Sequence, residues 1–277
     1  MNEPDASNSA PEAGELYGLP NGQRILHRHK YETDFLYREI FVDRVYLRHG
    51  IQLAPGAQVV DVGANIGLFS LFIKLECPTA RLYVFEPARE LFRLAERNLE
   101  RFGDDVRLFP LGLGDSDQVR EFTYYPGYSI MSGFHAAPDR DREVLGQGVR
   151  NQLLSAAKQR VAVSQKMVDA LVGKKLDGAE HYECPMTSLS AVLRREDVRS
   201  VDLLKIDAEK CEREILSGIQ EEDWIRIRQV VVEAHDRTTA NELERTLGGR
   251  GFRVHVEQEG QFAASEVFNL YALRSGA

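Results

Sequence analysis

An α/β fold built on a mostly parallel sheet is what this sequence predicts, and three observations carry the prediction. From Ala57 onward, short apolar strands alternate with amphipathic helices, the pattern of a parallel sheet covered on both faces. The first of those strands runs into Asp61-Val62-Gly63-Ala64-Asn65-Ile66-Gly67, a glycine-spaced turn from strand to helix. The last two strands are joined by a stretch with Glu-Gly turn chemistry, which suits an antiparallel pair.

The elements follow in order. Residues 1–14 are polar and rich in Asn, Ser, Glu and Pro, which predicts a disordered leader. They have no apolar core behind basic residues, so they do not read as a signal peptide. Leu19-Pro20-Asn21-Gly22 is a turn, and residues 23–27 are a short strand, together a hairpin. Residues 32–48 carry Phe35, Leu36, Ile40, Phe41, Val45 and Tyr46 at helical spacing, with Thr33 as N-cap and Gly50 as the stop. Residues 15–56 thus form a hairpin and a cap helix over the ligand face, ahead of a main domain spanning 57–277.

In that domain, strands are predicted at Gln58–Val62, Arg81–Phe85 and 106–111, and helices at 68–75 and 88–101. A further strand spans 121–125. Residues 126–177 then break the pattern and read as a lid or insertion, too short and too polar to hold a core. The alternation resumes with a strand at 201–206, a helix at 209–219, a strand at 229–233 and a helix at 240–247. Strands at 252–257 and 268–273 close it.

Composition narrows the function. The net charge of −8 argues against a phosphate-backbone ligand, so no nucleic-acid partner is expected. No run of about 18 apolar residues exists to span a membrane. The three cysteines, Cys77, Cys184 and Cys211, give no disulfide framework and read as reduced thiols of a cytoplasmic protein. Nothing in the sequence specifies an oligomeric state.

The glycine turn lacks the middle glycine of a dinucleotide fingerprint and carries Asn65 instead. Gly63 permits close backbone approach, Gly67 permits tight helix packing, and Asp61 and Asn65 offer polar contacts. Glu86 in Phe85-Glu86-Pro87 lies roughly 20 residues past the turn, the offset at which a carboxylate meets a ribose diol. Gly114-Asp115 follows the third strand, where Asp115 suits an adenine amino group. The plain alternatives are a bare turn, a solvated Glu at a helix start and a turn Asp. Three acids at successive strand tips outweigh any one of them.

With these residues in view, the chain resembles the FkbM family of methyltransferases. The resemblance rests on Leu19-Pro20-Asn21-Gly22, Glu32-Thr33 with Phe35-Leu36-Tyr37, the 61–67 turn, Phe85-Glu86-Pro87 and Ser129-Ile130-Met131-Ser132-Gly133. It continues through residues 202–210, Val232-Glu233-Ala234-His235-Asp236 and 269–273. Ala208 stands where the family often has Val, and Cys211 where small residues are usual. The resemblance implies a class I, Rossmann-like methyltransferase fold, with seven strands and an antiparallel last one. It also implies S-adenosylmethionine as donor and usually O-methylation, in polyketide or nonribosomal-peptide pathways. Glu32 and Tyr37 would then close the cofactor site, with Asp61, Gly63, Asn65, Gly67, Glu86, Pro87, Gly114 and Asp115 around it.

Methyl transfer to oxygen requires alignment and removal of a proton. His235, at the tip of the fifth strand, is the predicted general base, with Asp207 and Glu233 beside it. A divalent cation on Asp207, Glu233 and His235 is the second mechanism. The metal-free version is preferred, because no dense ligand motif such as His-Glu-x-x-His is present. Lys205 reads as structural. Tyr125, Ser129, Met131, Ser132 and Phe134 are the predicted acceptor-pocket residues. The acceptor would be a small molecule, free or tethered to a carrier protein. N-methylation, a nicotinamide-dependent reductase and a catalytically idle docking domain are the competing readings; Asn65 in the turn disfavours the reductase.

Overall fold

The computed structural model describes residues 14–156, 164–258 and 267–274. Most of the predicted leader and the 259–260 turn fall outside those residues. Strands β1 (Glu15–Gly18) and β2 (Arg24–His27) form the expected hairpin. Helix α1 (Lys30–Tyr37) starts earlier than Thr33; His29 is its N-cap, and the Thr33 hydroxyl bonds to the His29 carbonyl from inside the helix. The predicted long helix then breaks into a π-helical turn at Arg38–Val42 and a 3-10 turn at Val45–Leu47.

The main domain opens with β3 (Gln58–Val62), α2 (Leu68–Glu76), β4 (Arg81–Phe85), α3 (Arg89–Leu99) and β5 (Val106–Phe109). Alternate residues of β3 enter different cores: Val59 faces the one that includes α2 and α3, whereas Val60 and Val62 face the other. Each fully buried Val or Leu contributes about 1.5–3 kcal/mol.

After β5 the chain leaves this sheet at Pro110. Strands β6 (Gly112–Gly114), β7 (Gln118–Tyr124) and, after the insertion, β8 (Glu180–Ser188) form a separate three-stranded sheet ordered β6-β8-β7. The insertion folds as α4 (Pro138–Ala156) and α5 (Gln165–Leu176). Contrary to the expectation of no core, Tyr125, Leu145, Val149, Val168, Val172 and Leu176 form a small apolar cluster between them. Helix α6 (Leu189–Arg195), capped by Ser188, returns the chain to the main sheet.

There β9 (Leu203–Ile206), α7 (Glu212–Ser217), β10 (Gln229–Ala234), α8 (Arg237–Gly249), β11 (Phe252–Gln258) and β12 (Phe268–Arg274) complete the order β11-β12-β10-β9-β3-β4-β5. Only β12 runs antiparallel to its neighbours. This is a seven-stranded Rossmann-like sheet of the class I methyltransferase type. No helix among the described residues is long and apolar enough to cross a membrane.

The order reverses between β3 and β9: successive strands step outward from β3 through β4 to β5, then return on its other side. Such a switch point leaves a crevice at the carboxyl ends of the strands. Register fixes what lines it. Val62 pairs with Phe85 on one side and Ile206 on the other, and Ile206 pairs with Val232. The next residue on each strand is therefore Glu86, Gly63, Asp207 and Glu233, one row along the rim.

Candidate active site

Gly63 adopts a left-handed backbone (φ 76°), and a Cβ there would lie 1.7 Å from the Asp207 carbonyl oxygen. The close approach it permits is to the backbone at the tip of β9. Gly67 (φ 86°) caps α2, and its absent side chain makes room for Leu99 and Ala95 of α3. Asn65 is also left-handed (φ 52°); its side-chain oxygen accepts from the Ile66 amide at 2.8 Å.

Asp61 is fully buried two residues before Gly63 of the rim. It accepts from the Ser70 hydroxyl at 2.7 Å and pairs with Lys205 Nζ at 3.1 Å. The Lys205 ammonium also donates to the Val62 and Gly63 carbonyls at 3.2 and 2.8 Å. Asp61 therefore holds the glycine turn through Lys205 and reaches no open space itself. Burial works against the charge on Lys205, but Asp61 and Asp207 outweigh it and hold its pKa above the ordinary lysine value.

Glu86 is buried, and its carboxylate accepts from the amides of Asn65 (2.7 Å) and Ala88 (2.8 Å). Burial pushes its pKa up to about 8, although both amides favour the ionised form. Pro87 follows it and separates the strand from α3. Gly114 and Asp115 are not brought to this rim. Because the chain turns away at Pro110, Gly114 pairs with Ser188 in the second sheet and packs against Gly218 after α7. Asp115 is exposed and bonds to Ser116 and Gln118. Tyr37 stacks on Phe41 with ring centroids 4.7 Å apart.

A second group lies beyond Gly63. His235 sits between the end of β10 and Asp236, the N-cap of α8. Its Nδ1 is 2.8 Å from Glu212 Oε1. Its Nε2 lies 3.3 Å from Glu209 and 3.4 Å from Glu233. Asp207 Oδ2 accepts from the Tyr46 hydroxyl at 2.8 Å and lies 3.7 Å from Lys205. Asp207, Glu233 and His235 each present an atom within 4.8 Å of the others. Burial disfavours a charged imidazole, but Glu209, Glu212 and Glu233 outweigh it, so the His235 pKa stands well above its usual value. Burial and the Asp207 charge push Glu233 up to about 7.

The loop after β7 lies across the gap between these two groups. Ser129 is anchored at one end: its amide and hydroxyl donate to the buried Glu32 carboxylate, and Asn65 Nδ2 reaches its oxygen at 3.4 Å. Gly133 abuts Glu209 at the other end. Ser132 Oγ accepts from the Tyr125 amide. Met131 packs on the lid cluster, and Tyr125 is buried within it, its hydroxyl donating to Asp141. Phe134 is wedged between Gly112 and Phe122. Of the predicted pocket residues, Ser129 is the one bonded to the glycine turn.

Sequence reasoning missed Tyr46, Glu212 and the central position of Lys205. Tyr46 comes from the cap, 161 residues before its partner Asp207, and no local spacing links the two. Glu212 is the first residue of α7, which starts later than the predicted 209–219 helix because Glu209 and Lys210 form a turn; no helical spacing therefore pairs Glu212 with Glu209.

A sequence profile of the methyltransferase FkbM domain matches residues 61–254. The chain is 40% identical over 262 residues to the 31-O-demethyl-FK506 methyltransferase FkbM of Streptomyces tacrolimicus, covering 94% of this chain and 97% of that one. It is 36% identical to the AMB antimetabolite synthetase AmbE of Pseudomonas aeruginosa over 98% of this chain, yet spans only 13% of that longer protein. Methyltransferase sdnD of Sordaria araneosa is 30% identical, over 81% of this chain and 84% of its own length. With the rim residues and these matches together, the chain belongs to the FkbM family of methyltransferases.

Proposed function

We propose that the chain transfers a methyl group from S-adenosylmethionine to a hydroxyl oxygen of a small biosynthetic molecule. The observation that carries the reading is the single row Glu86, Gly63, Asp207 and Glu233, which sets a nucleoside-type half beside a proton-handling half. S-adenosylmethionine supplies an electrophilic methyl on a sulfonium. The residues fit it: Glu86 uses two of its roughly four lone-pair sites on backbone amides, and the rest suit a vicinal diol. The acidic surroundings suit a sulfonium cation. Glu32, Asn65 and Ser129 flank the same turn, and Gly63, Gly67 and Asp61 shape it.

The cluster of Asp207, Glu209, Glu233 and His235 deals with the acceptor proton. Glu212 orients the imidazole, and Tyr46 with Lys205 fixes Asp207. Oxygen is preferred as acceptor because the Streptomyces tacrolimicus relative is named for a 31-O-demethyl substrate. The match within a synthetase leaves room for a carrier-tethered acceptor as well as a free one.

Calorimetry with S-adenosylhomocysteine tests the donor half: measurable heat supports the reading, and none would favour an idle docking domain. His235→Ala is expected to lower turnover by a hundredfold or more, on the order of general acid–base effects, with S-adenosylhomocysteine affinity near wild type. Unchanged turnover in that variant removes His235 from the chemistry.

A further inference from the structure

We propose that Asp207, Glu233 and His235 hold a divalent cation, magnesium or manganese, that binds the acceptor hydroxyl and acidifies it for methyl transfer. The proposal rests on the methyltransferase reading above and deepens it.

Geometry is the first support. Donor atoms at about 2.1 Å from such a cation lie roughly 3–4 Å apart. His235 Nε2 and Glu233 Oε1 are 3.4 Å apart, and the three groups present atoms within 4.8 Å of one another. Two carboxylates and one imidazole are a donor set for magnesium or manganese rather than a soft metal.

The imidazole's orientation is the second support. Its Nδ1 faces the buried carboxylate of Glu212 at 2.8 Å, and Glu212 is itself fixed by the Lys210 amide at 3.0 Å. A carboxylate on Nδ1 directs the Nε2 lone pair at the cluster, the arrangement seen behind metal-bound histidines. Nε2 is buried and faces Glu209 and Glu233 at 3.3 and 3.4 Å, without a well-aligned hydrogen bond to either. Charge is the third. Asp207, Glu209, Glu212 and Glu233 surround one imidazole, while Lys205 is shared between Asp61 and Asp207. A dication offsets this surplus of carboxylates where water is scarce.

The step balances as follows. The acceptor oxygen binds the cation, and its proton passes to Glu209, whose side chain is partly exposed and returns the proton to solvent. The oxygen–methyl bond forms as the methyl–sulfur bond breaks, and the electron pair stays on sulfur. His235 is here a ligand, and Glu212 a positioning residue.

The experiment titrates the EDTA-stripped chain with manganese alone, by calorimetry and by electron paramagnetic resonance of the free ion. One bound ion per chain is expected, with affinity at least about tenfold weaker in Glu233→Gln and in Asp207→Asn. Circular dichroism and S-adenosylhomocysteine binding in the same samples report folding and the donor half. Absent manganese binding, or affinity unchanged in both variants, overturns the cation site. If S-adenosylhomocysteine still binds in that case, only the cation site falls; if wild type binds neither, the methyltransferase reading falls with it. Should the variants not fold, methyl transfer by wild type undiminished in EDTA also overturns the site.

Discussion

Glu86 is a carboxylate whose chemistry is set by where the backbone puts it. Its folded pKa of about 8 lies above the ordinary value of 4.5, so the folded chain keeps a proton there that the unfolded chain loses. Stability contributed by that proton is full below about pH 4.5 and declines as pH rises towards about 8. Lys205 and Asp61 also face this carboxyl, with opposing effects. Diol binding favours the ionised form, so S-adenosylhomocysteine binding at pH 7 should release a proton. Calorimetry in buffers of different ionisation enthalpy would detect it, and Glu86→Gln should abolish it. Lys205 makes the other residue-scale prediction. Lys205→Met strands Asp61 in the core and should cost about 3–5 kcal/mol in urea denaturation, as for other broken buried pairs. The sequence named Asp61 as a ligand contact because strand-tip acids usually are. Its bond to Ser70 and its pairing with Lys205 depend on which way β3 faces relative to α2 and β9, a tertiary fact.

At the scale of elements, the lid is held by Asp141, which is buried at the start of α4. One oxygen accepts from Lys210 at 2.8 Å, and the other from the Tyr125 hydroxyl and the Ala137 amide. Asp141→Ala leaves three donors unmet and should destabilise by about 1–3 kcal/mol each where they stay buried. Hydrogen exchange should accelerate in residues 138–150 while β3, β4 and β9 stay protected; uniform acceleration would mean the lid is not a separate unit. Strands β3, β4, β9 and β10 were legible because each is an apolar run ending in a polar tip. β8 was not: Glu180–Ser188 is polar along one half, includes Pro185, and gains its partners only once β6 and β7 are placed. The same omission extended β5 through Pro110 and put Asp115 at the wrong edge.

For the molecule as a whole, a net charge of −8 meets a rim lined with carboxylates. S-adenosylmethionine carries net positive charge and S-adenosylhomocysteine none. Association of the first should slow with added salt more steeply than that of the second in stopped-flow measurements. Equal salt slopes would show that the acidic field does not guide the donor. The parallel sheet and its antiparallel closing pair were readable from the alternation of elements and the last turn, whereas the cap's contribution through Tyr46 and the lid's through Ser129 were not, since both arise from chain segments distant in sequence.

The lid's private apolar cluster has a practical corollary. The described residues of the lid carry a small cluster of their own, and Glu32, Asn65, Glu209 and Lys210 are four of the residues at which they meet the site and its surroundings. Chimeras that exchange this cassette between relatives, keeping those four docking points, would alter which acceptors are admitted without disturbing the donor half. A side chain introduced at Gly63 instead would collide with the Asp207 carbonyl and shift both halves at once.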